Sequence, residues 1–262
     1  MKLVIVIANV LLIFLCCTSS NGNSFFQDSN LQKAVKKSLP NNTTTLNKEN
    51  LKQITEITCN NCKNLSGIEH LSNLKIARFA NSKLTNYTEI GKLSKIKVLN
   101  LSHCNIKNIS FLKNLQDIEQ LYLSDNDIDD LSPIGELPKL QILWFDRNKV
   151  QDISMIANLK NIQEVVAYGN QIEKIPDLSN CVSLRELDLG QNIVEFSEGL
   201  HTLKEIRQLV LIGNKVDRID WIASLNNLSY ANLLENPIDC SGLNQEIITM
   251  MKSGILITDC KN

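Results

Sequence analysis

The chain has 262 residues, with 27 Lys and Arg against 28 Asp and Glu and a formal net charge of −1, so no general attraction to nucleic acid is expected. Apolar residues make up 43%, with only 10 Gly and 5 Pro, which excludes a disordered or collagen-like chain. The length admits one large domain or two modest ones.

At the N-terminus, Lys2 is followed by an apolar stretch from Leu3 to Cys17, interrupted only by Asn9, and then by small and polar residues from Thr18 to Gly22. A basic start, a short apolar centre and small residues behind it make a secretory signal peptide, predicted over residues 1–22 with cleavage after Ser20 or Gly22. The apolar run, about 15 residues, falls short of the ~20 that a spanning helix needs. An acylated Cys16 or Cys17 is the alternative, disfavoured by the bulky Leu15 before Cys16. Membrane contact is expected only if the N-terminus is lipidated, and the mature chain is expected to be secreted or at the cell surface.

Behind the polar Asp28-Ser29-Asn30, the residues Leu31, Ala34, Val35 and Leu39 recur at helical spacing until Pro40 ends the run. A second short helix is expected around Asn47 to Gln53. Residues 23–53 are therefore predicted to form a helical N-terminal cap.

An aliphatic residue then returns every 22 positions: Leu74, Ile96, Ile118, Leu140, Ile162, Leu184, Ile206 and Leu228. Apolar columns follow three and five residues later, as in Leu99 and Leu101, Leu121 and Leu123, and Leu143 and Phe145. The next fixed column reads Ser82, Cys104, then Asn126, Asn148, Asn170, Asn192, Asn214 and Asn236, with an aliphatic residue always two positions on. This is the L-x-x-L-x-L-x-x-N/C-x-L pattern of leucine-rich repeats. It predicts an α/β fold: a leucine-rich-repeat solenoid, coiled to the right, with a parallel concave β-sheet and later columns (Ile109, Leu112, Leu115) turning the convex half into the same core. A shorter unit begins at Ile54, with Ile57, Cys59 and Cys62 in the matching columns. The array is placed at 54–239, with nine parallel strands. Residues 240–262 are predicted to form a C-terminal cap, with a helix near Leu243 to Lys252 and a last strand at Ile255 to Thr258.

The segment "SFFQDSNLQKAVKKSL" through "LSGIEHLSNL", Ser24 to Leu74, resembles the helical cap and first repeat of the internalin family. Units such as "IEQLYLSDNDIDDLSPIGELPKL", Ile118 to Leu140, resemble that family's repeats. The resemblance spans about residues 24 to 239. It implies a bacterial surface or secreted protein that grips a host protein on its concave face. The end of the sequence departs from that family and resembles the cysteine-bearing C-terminal flank of extracellular leucine-rich-repeat proteins.

Six cysteines lie beyond the signal peptide. Cys240 and Cys260 flank the final helix, the arrangement of a disulfide that seals the last coil and stabilises by roughly 3 kcal/mol. The C-x-x-C of Cys59 and Cys62 reads as a buried thiol pair or a local disulfide rather than half a zinc site, since no second ligand pair is visible. Cys181 reads as a buried thiol. Asp125, Asp127, Asp129 and Asp130 form an acidic knot without the turn glycine and distal Glu of a calcium loop, so a solvated edge is expected. His70, His103 and His201 lie in different coils and columns. No nucleophile–base pair or phosphate loop is visible, so neither catalysis nor a cofactor is expected.

Strand positions that are neither core nor turn line the concave surface. One column reads Arg78, Asn100, Tyr122, Trp144, Val166, Asp188, Val210 and Asn232; its neighbour reads Ala80, Ser102, Ser124, Asp146, Tyr168, Gly190, Ile212 and Leu234. With strands about 4.8 Å apart, Tyr122, Trp144, Val166 and Tyr168 are predicted to form one patch, rimmed by the charges of Asp146, Arg147 and Asp188 and continued by Val210. Trp and Tyr dominate interface hot spots because they bury large area with few rotors. The partner expected here is a protein held on the concave face; its role is host interaction or adhesion. The alternatives are an extracellular inhibitor or regulator of an enzyme, or a lipid-anchored envelope protein.

Overall fold

Alternation within each repeat sends Leu99 and Leu101 fully inward and leaves Asn100 partly exposed between them, and the pattern returns coil after coil. The structure is a computed structural model and describes residues 25–40, 43, 45–195 and 198–260. The predicted signal peptide, with Cys16 and Cys17, lies outside the described residues.

The strands are β1 (Glu56–Thr58), β2 (Ile76–Arg78), β3 (Val98–Asn100), β4 (Gln120–Tyr122), β5 (Ile142–Trp144), β6 (Glu164–Val166), β7 (Glu186–Asp188), β8 (Gln208–Val210), β9 (Tyr230–Asn232) and β10 (Leu256–Ile257). They pair in parallel, each with its neighbours in sequence, to make one ten-stranded sheet. The nine strands of the array are thus joined by the last one, which pairs Leu256 with Ala231. Equivalent residues of successive 22-residue repeats stand side by side, as in Leu99, Leu121, Leu143 and Val165. One hydrophobic core runs the length of the stack, from Phe26 to Leu256.

The Asn column solves a problem of buried backbone. After each strand the chain turns inward, and its carbonyls and N–H groups would lack partners. Asn148 Nδ2 donates to Phe145 O of its own coil at 2.9 Å and to Leu123 O of the preceding coil at 3.0 Å. Its Oδ1 accepts from Ile128 N, also of the preceding coil, at 3.0 Å. Asn170, Asn192, Asn214 and Asn236 repeat the pattern. Each amide therefore bonds backwards, and the first coil has no coil behind it. There Cys62 occupies the ladder position and is disulfide-bonded to Cys59, closing the turn covalently. Ser82 completes that junction by donating to Cys59 O at 3.0 Å and accepting from Cys62 N at 3.2 Å. Cys104 Sγ donates to Phe79 O, and burial pushes its thiol pKa up to about 11.

On the convex side most coils close with a short 3-10 turn, such as Ser110–Asn114 or Ser154–Asn158. The coil between β6 and β7 has none. Its Leu178 N–H donates to the Thr202 hydroxyl of the next coil at 3.0 Å, instead of to the carbonyl three residues back as Leu112 does. Cys181 is buried in the column held by Leu115, Leu137 and Leu159, and burial raises its thiol pKa to about 11.

Both ends are covered. Helix α1 (Ser29–Ser38) buries Leu31 and Val35, and Asp28 caps it by accepting from Asn30 N and Leu31 N. The same carboxylate accepts from Lys63 N and Asn64 N, which pins the cap to the first coil. Burial works to raise the Asp28 pKa, but the four backbone donors outweigh it and hold the carboxyl below its ordinary value. Helix α2 (Lys48–Leu51) follows, shorter than the predicted span and capped by Asn47. At the far end, α3 (Gln245–Lys252) starts on an Asn244 cap and buries Ile247, and Cys240 is bonded to Cys260 with their Cα atoms 5.5 Å apart.

Candidate protein-binding face

The alternation that buries Leu121, Leu143 and Val165 leaves Tyr122, Trp144 and Val166 side by side on the opposite face. Tyr122 and Trp144 meet edge to face, ring centroids 5.2 Å apart at 86°. Trp144 Nε1 donates to Glu164 Oε1 at 2.7 Å, and the Tyr122 hydroxyl donates to Gln120 Oε1 at 3.2 Å. The indole is thus oriented from two sides and still 37% exposed. Burial, and secondarily the Glu164 charge, raise the Tyr122 pKa.

Tyr168 is 38% exposed and leans across a gap in its own column. A Cβ at position 190 would lie 2.9 Å from Tyr168 Cδ2 and 2.9 Å from Ile212 Cγ2, so only glycine lets those two side chains close over the backbone. Val166 and Val210 are half-buried on either side of Asp188.

Two members of the predicted charged rim are engaged in contacts between coils. Asp146 is buried, accepts from the Ser124 hydroxyl and pairs with Arg147 at 2.9 Å. Arg147 is spread between that carboxylate and Asp125, whose two oxygens take its Nε and Nη2. These contacts tie neighbouring coils together across one strand spacing, and the Arg147 side chain stays 54% exposed. The Arg147 hydrogen bond holds the Asp125 carboxyl below its usual value, against burial, and His103 adds to the effect at 3.1 Å. The remaining knot is partly matched as well: Asp127 meets Lys149 at 2.8 Å and Asp129 meets Lys107 at 3.8 Å. Among the described residues no His, Cys, Asp and Glu side chains group to hold a metal.

Asp188 differs. Its Oδ1 accepts from Gly190 N at 2.9 Å, and its pKa is raised, first by burial and then by the nearby Asp146 charge.

A third concave column, beyond the two named from the sequence, lies one residue before the inward Leu: Ile76, Val98, Gln120, Ile142, Glu164, Glu186, Gln208 and Tyr230. The period-2 rule that placed Tyr122 outside places Gln120 outside too. Glu164, the acceptor that fixes Trp144, belongs to this column.

A family model described as leucine-rich repeats in two copies matches residues 116–158. No curated protein matches the sequence. Among solved structures, internalin C2 of Listeria monocytogenes is similar at 28% identity over 91% of this chain and 96% of its own, with a TM-score of 0.65. A leucine-rich-repeat protein of Leptospira interrogans is similar at 23% identity over 74% of this chain and 50% of its own, TM-score 0.66. A plant peptide hormone receptor in complex with RGF2 is similar at 21% identity over 72% and 37% of the two chains, TM-score 0.59. The last two share the fold alone. Repeat pattern, Asn ladder, helical cap and the similarity to internalin C2 agree: the chain is a leucine-rich-repeat solenoid similar to the internalins.

Proposed function

We propose that the protein is secreted or surface-exposed and binds another protein on its concave face, as a host-interaction or adhesion factor. The observation that carries this reading is the orientation of Trp144: its N–H is held by Glu164, its ring stands at right angles to that of Tyr122, and the residue is still 37% exposed on the sheet. A large aromatic surface fixed before contact loses little side-chain entropy on binding, which is what an interface anchor requires. Residues 1–22 support export as a signal peptide. No helix among the described residues is long and apolar enough to cross a membrane.

The test has two arms. The mass of the mature N-terminus distinguishes cleavage near Ser20 to Gly22 from a lipidated Cys16 or Cys17. A pull-down of host surface proteins with the mature chain is then repeated with Trp144→Ala, which is expected to weaken capture by about 2 kcal/mol or more. Undiminished capture by a folded Trp144→Ala, Tyr122→Ala, Tyr168→Ala variant would move the binding site off this face.

A further inference from the structure

The concave sheet face is uneven in charge although the chain as a whole is nearly neutral. Across its three outward columns from β2 to β9, Arg78 is the only Lys or Arg, and it is tied to Glu56. The acids gather mid-array. Glu164 and Glu186 stand side by side on paired strands, and Asp188 lies two residues beyond Glu186 on the same face. Among the described residues no Lys, Arg or His reaches ion-pair distance of any of the three. This contrasts with the turn edge one column away, where Asp125 and Asp127 both have cations.

The unmatched carboxylates adjoin the aromatic patch. Glu164 Oε1 already holds the Trp144 N–H, so that carboxylate and the indole are fixed next to each other. Like charges on neighbouring strands repel, and carboxylates left unpaired on a partly buried sheet face keep that cost until a cation arrives. An aromatic face beside them attracts the same kind of group, because a cation above a ring interacts with its quadrupole within about 6 Å.

We infer that the partner is a protein that presents a lysine or arginine side chain, flanked by apolar residues, to the concave face between Trp144, Glu164, Glu186 and Asp188. The inference rests on the concave face being the binding face. Charge complementarity selects this occupant: an acidic or purely apolar segment would bury three carboxylates without compensation, at a cost that grows as water is excluded. The aromatic rings take the apolar flank, and the acids fix where the cation sits.

The full secreted chain, disulfides intact, is used to select binders from a display library of short random-sequence peptides. The retained peptides are then titrated against three proteins: the parent, a combined Glu164→Gln, Glu186→Gln, Asp188→Asn variant, and a Trp144→Ala, Tyr168→Ala variant. The amide variant keeps the shape of the face and an oxygen acceptor for Trp144, so it removes charge without removing structure. Enrichment of Lys or Arg, with about a tenfold or greater loss of affinity to the amide variant and a steep loss with added salt, is the expected result. Peptides that need Trp144 and Tyr168 but show no cation enrichment, and bind the amide variant as tightly as the parent, overturn the inference and leave the binding face standing. Peptides indifferent to both variants, or a selection that yields none, overturn both.

Discussion

Trp144 and Glu164 are joined across adjacent strands by a 2.7 Å hydrogen bond from the indole N–H to the carboxylate. Tyr122 completes the arrangement from the other side, its ring at right angles to the indole. Three successive repeats thus contribute one side chain each to a fixed unit, made possible because the 22-residue period sets equivalent positions one strand apart.

That unit predicts energetic coupling. Removing Trp144 alone loses one net hydrogen bond and one edge-to-face pair while leaving the core untouched, so Trp144→Ala should cost about 1 kcal/mol of stability. In a double-mutant cycle with Tyr122→Ala, the two losses should fail to add by roughly 0.5–1.5 kcal/mol. Urea titration of the parent, both single variants and the double variant gives the coupling. A value indistinguishable from zero would mean that the rings are neighbours without being partners.

A sharper effect is expected at the ladder. Asn148→Ala leaves Ile128 N in the core without its acceptor, and leaves Leu123 O and Phe145 O with one amide donor each, from Asn126 and Asn170, instead of two. The orphaned N–H costs about 1–3 kcal/mol when water cannot reach it, and the two weakened carbonyls add to that, so a loss of about 2–3 kcal/mol is expected from a single amide. Equilibrium unfolding in urea measures it, and a loss below about 1 kcal/mol would show that water replaces the amide.

At the C-terminal end, Cys240→Ser opens a covalent loop of separation 20. The expected loss is roughly 2–5 kcal/mol in oxidising buffer, vanishing when parent and variant are compared under full reduction. Because Cys240 is exposed, this bridge should also yield to reductant before the buried Cys59–Cys62 bridge. Mass spectrometry after timed reduction and alkylation follows the order directly, and simultaneous release would contradict it.

Much of this fold is legible in the sequence because a repeat is read many times over. The columns headed by Leu74 and by Ser82 fix strand, turn and core in one register, and alternation alone puts Tyr122 and Trp144 outside. The concave column of Glu164 obeys the same alternation and is legible by the same rule. The pairing of Asp146 with Ser124 and Arg147 was not legible, since it depends on which rotamers reach across a strand gap. The missing 3-10 turn after Ile172 was equally hidden. It depends on Thr202, 24 residues on from Leu178, offering its hydroxyl to the Leu178 N–H.

The concave acids carry a prediction of their own in pH. Asp188 has a raised pKa, caused first by burial and then by the Asp146 charge, with only the Gly190 N–H acting the other way. Glu186 stands on the same strand, Glu164 lies one strand over, and none brings a compensating cation. A carboxyl whose folded pKa exceeds its unfolded value of about 3.9 makes the folded chain bind more protons than the unfolded chain between those two values. Stability from this group is therefore lost as pH rises through that window, and the penalty is fully present near neutrality. Asp125 runs the other way: its lowered pKa contributes stability above the ordinary carboxylate range, lost as pH falls through the folded value. Comparing parent with Asp188→Asn isolates the first effect, because Asp125 is common to both and the amide oxygen still accepts from Gly190 N. The variant should be the more stable near neutral pH, and its advantage should shrink as the pH is brought down to about 4. Urea midpoints at the two pH values decide the matter: an advantage of equal size at both would mean that the substitution acts through packing and that the Asp188 carboxylate carries no penalty.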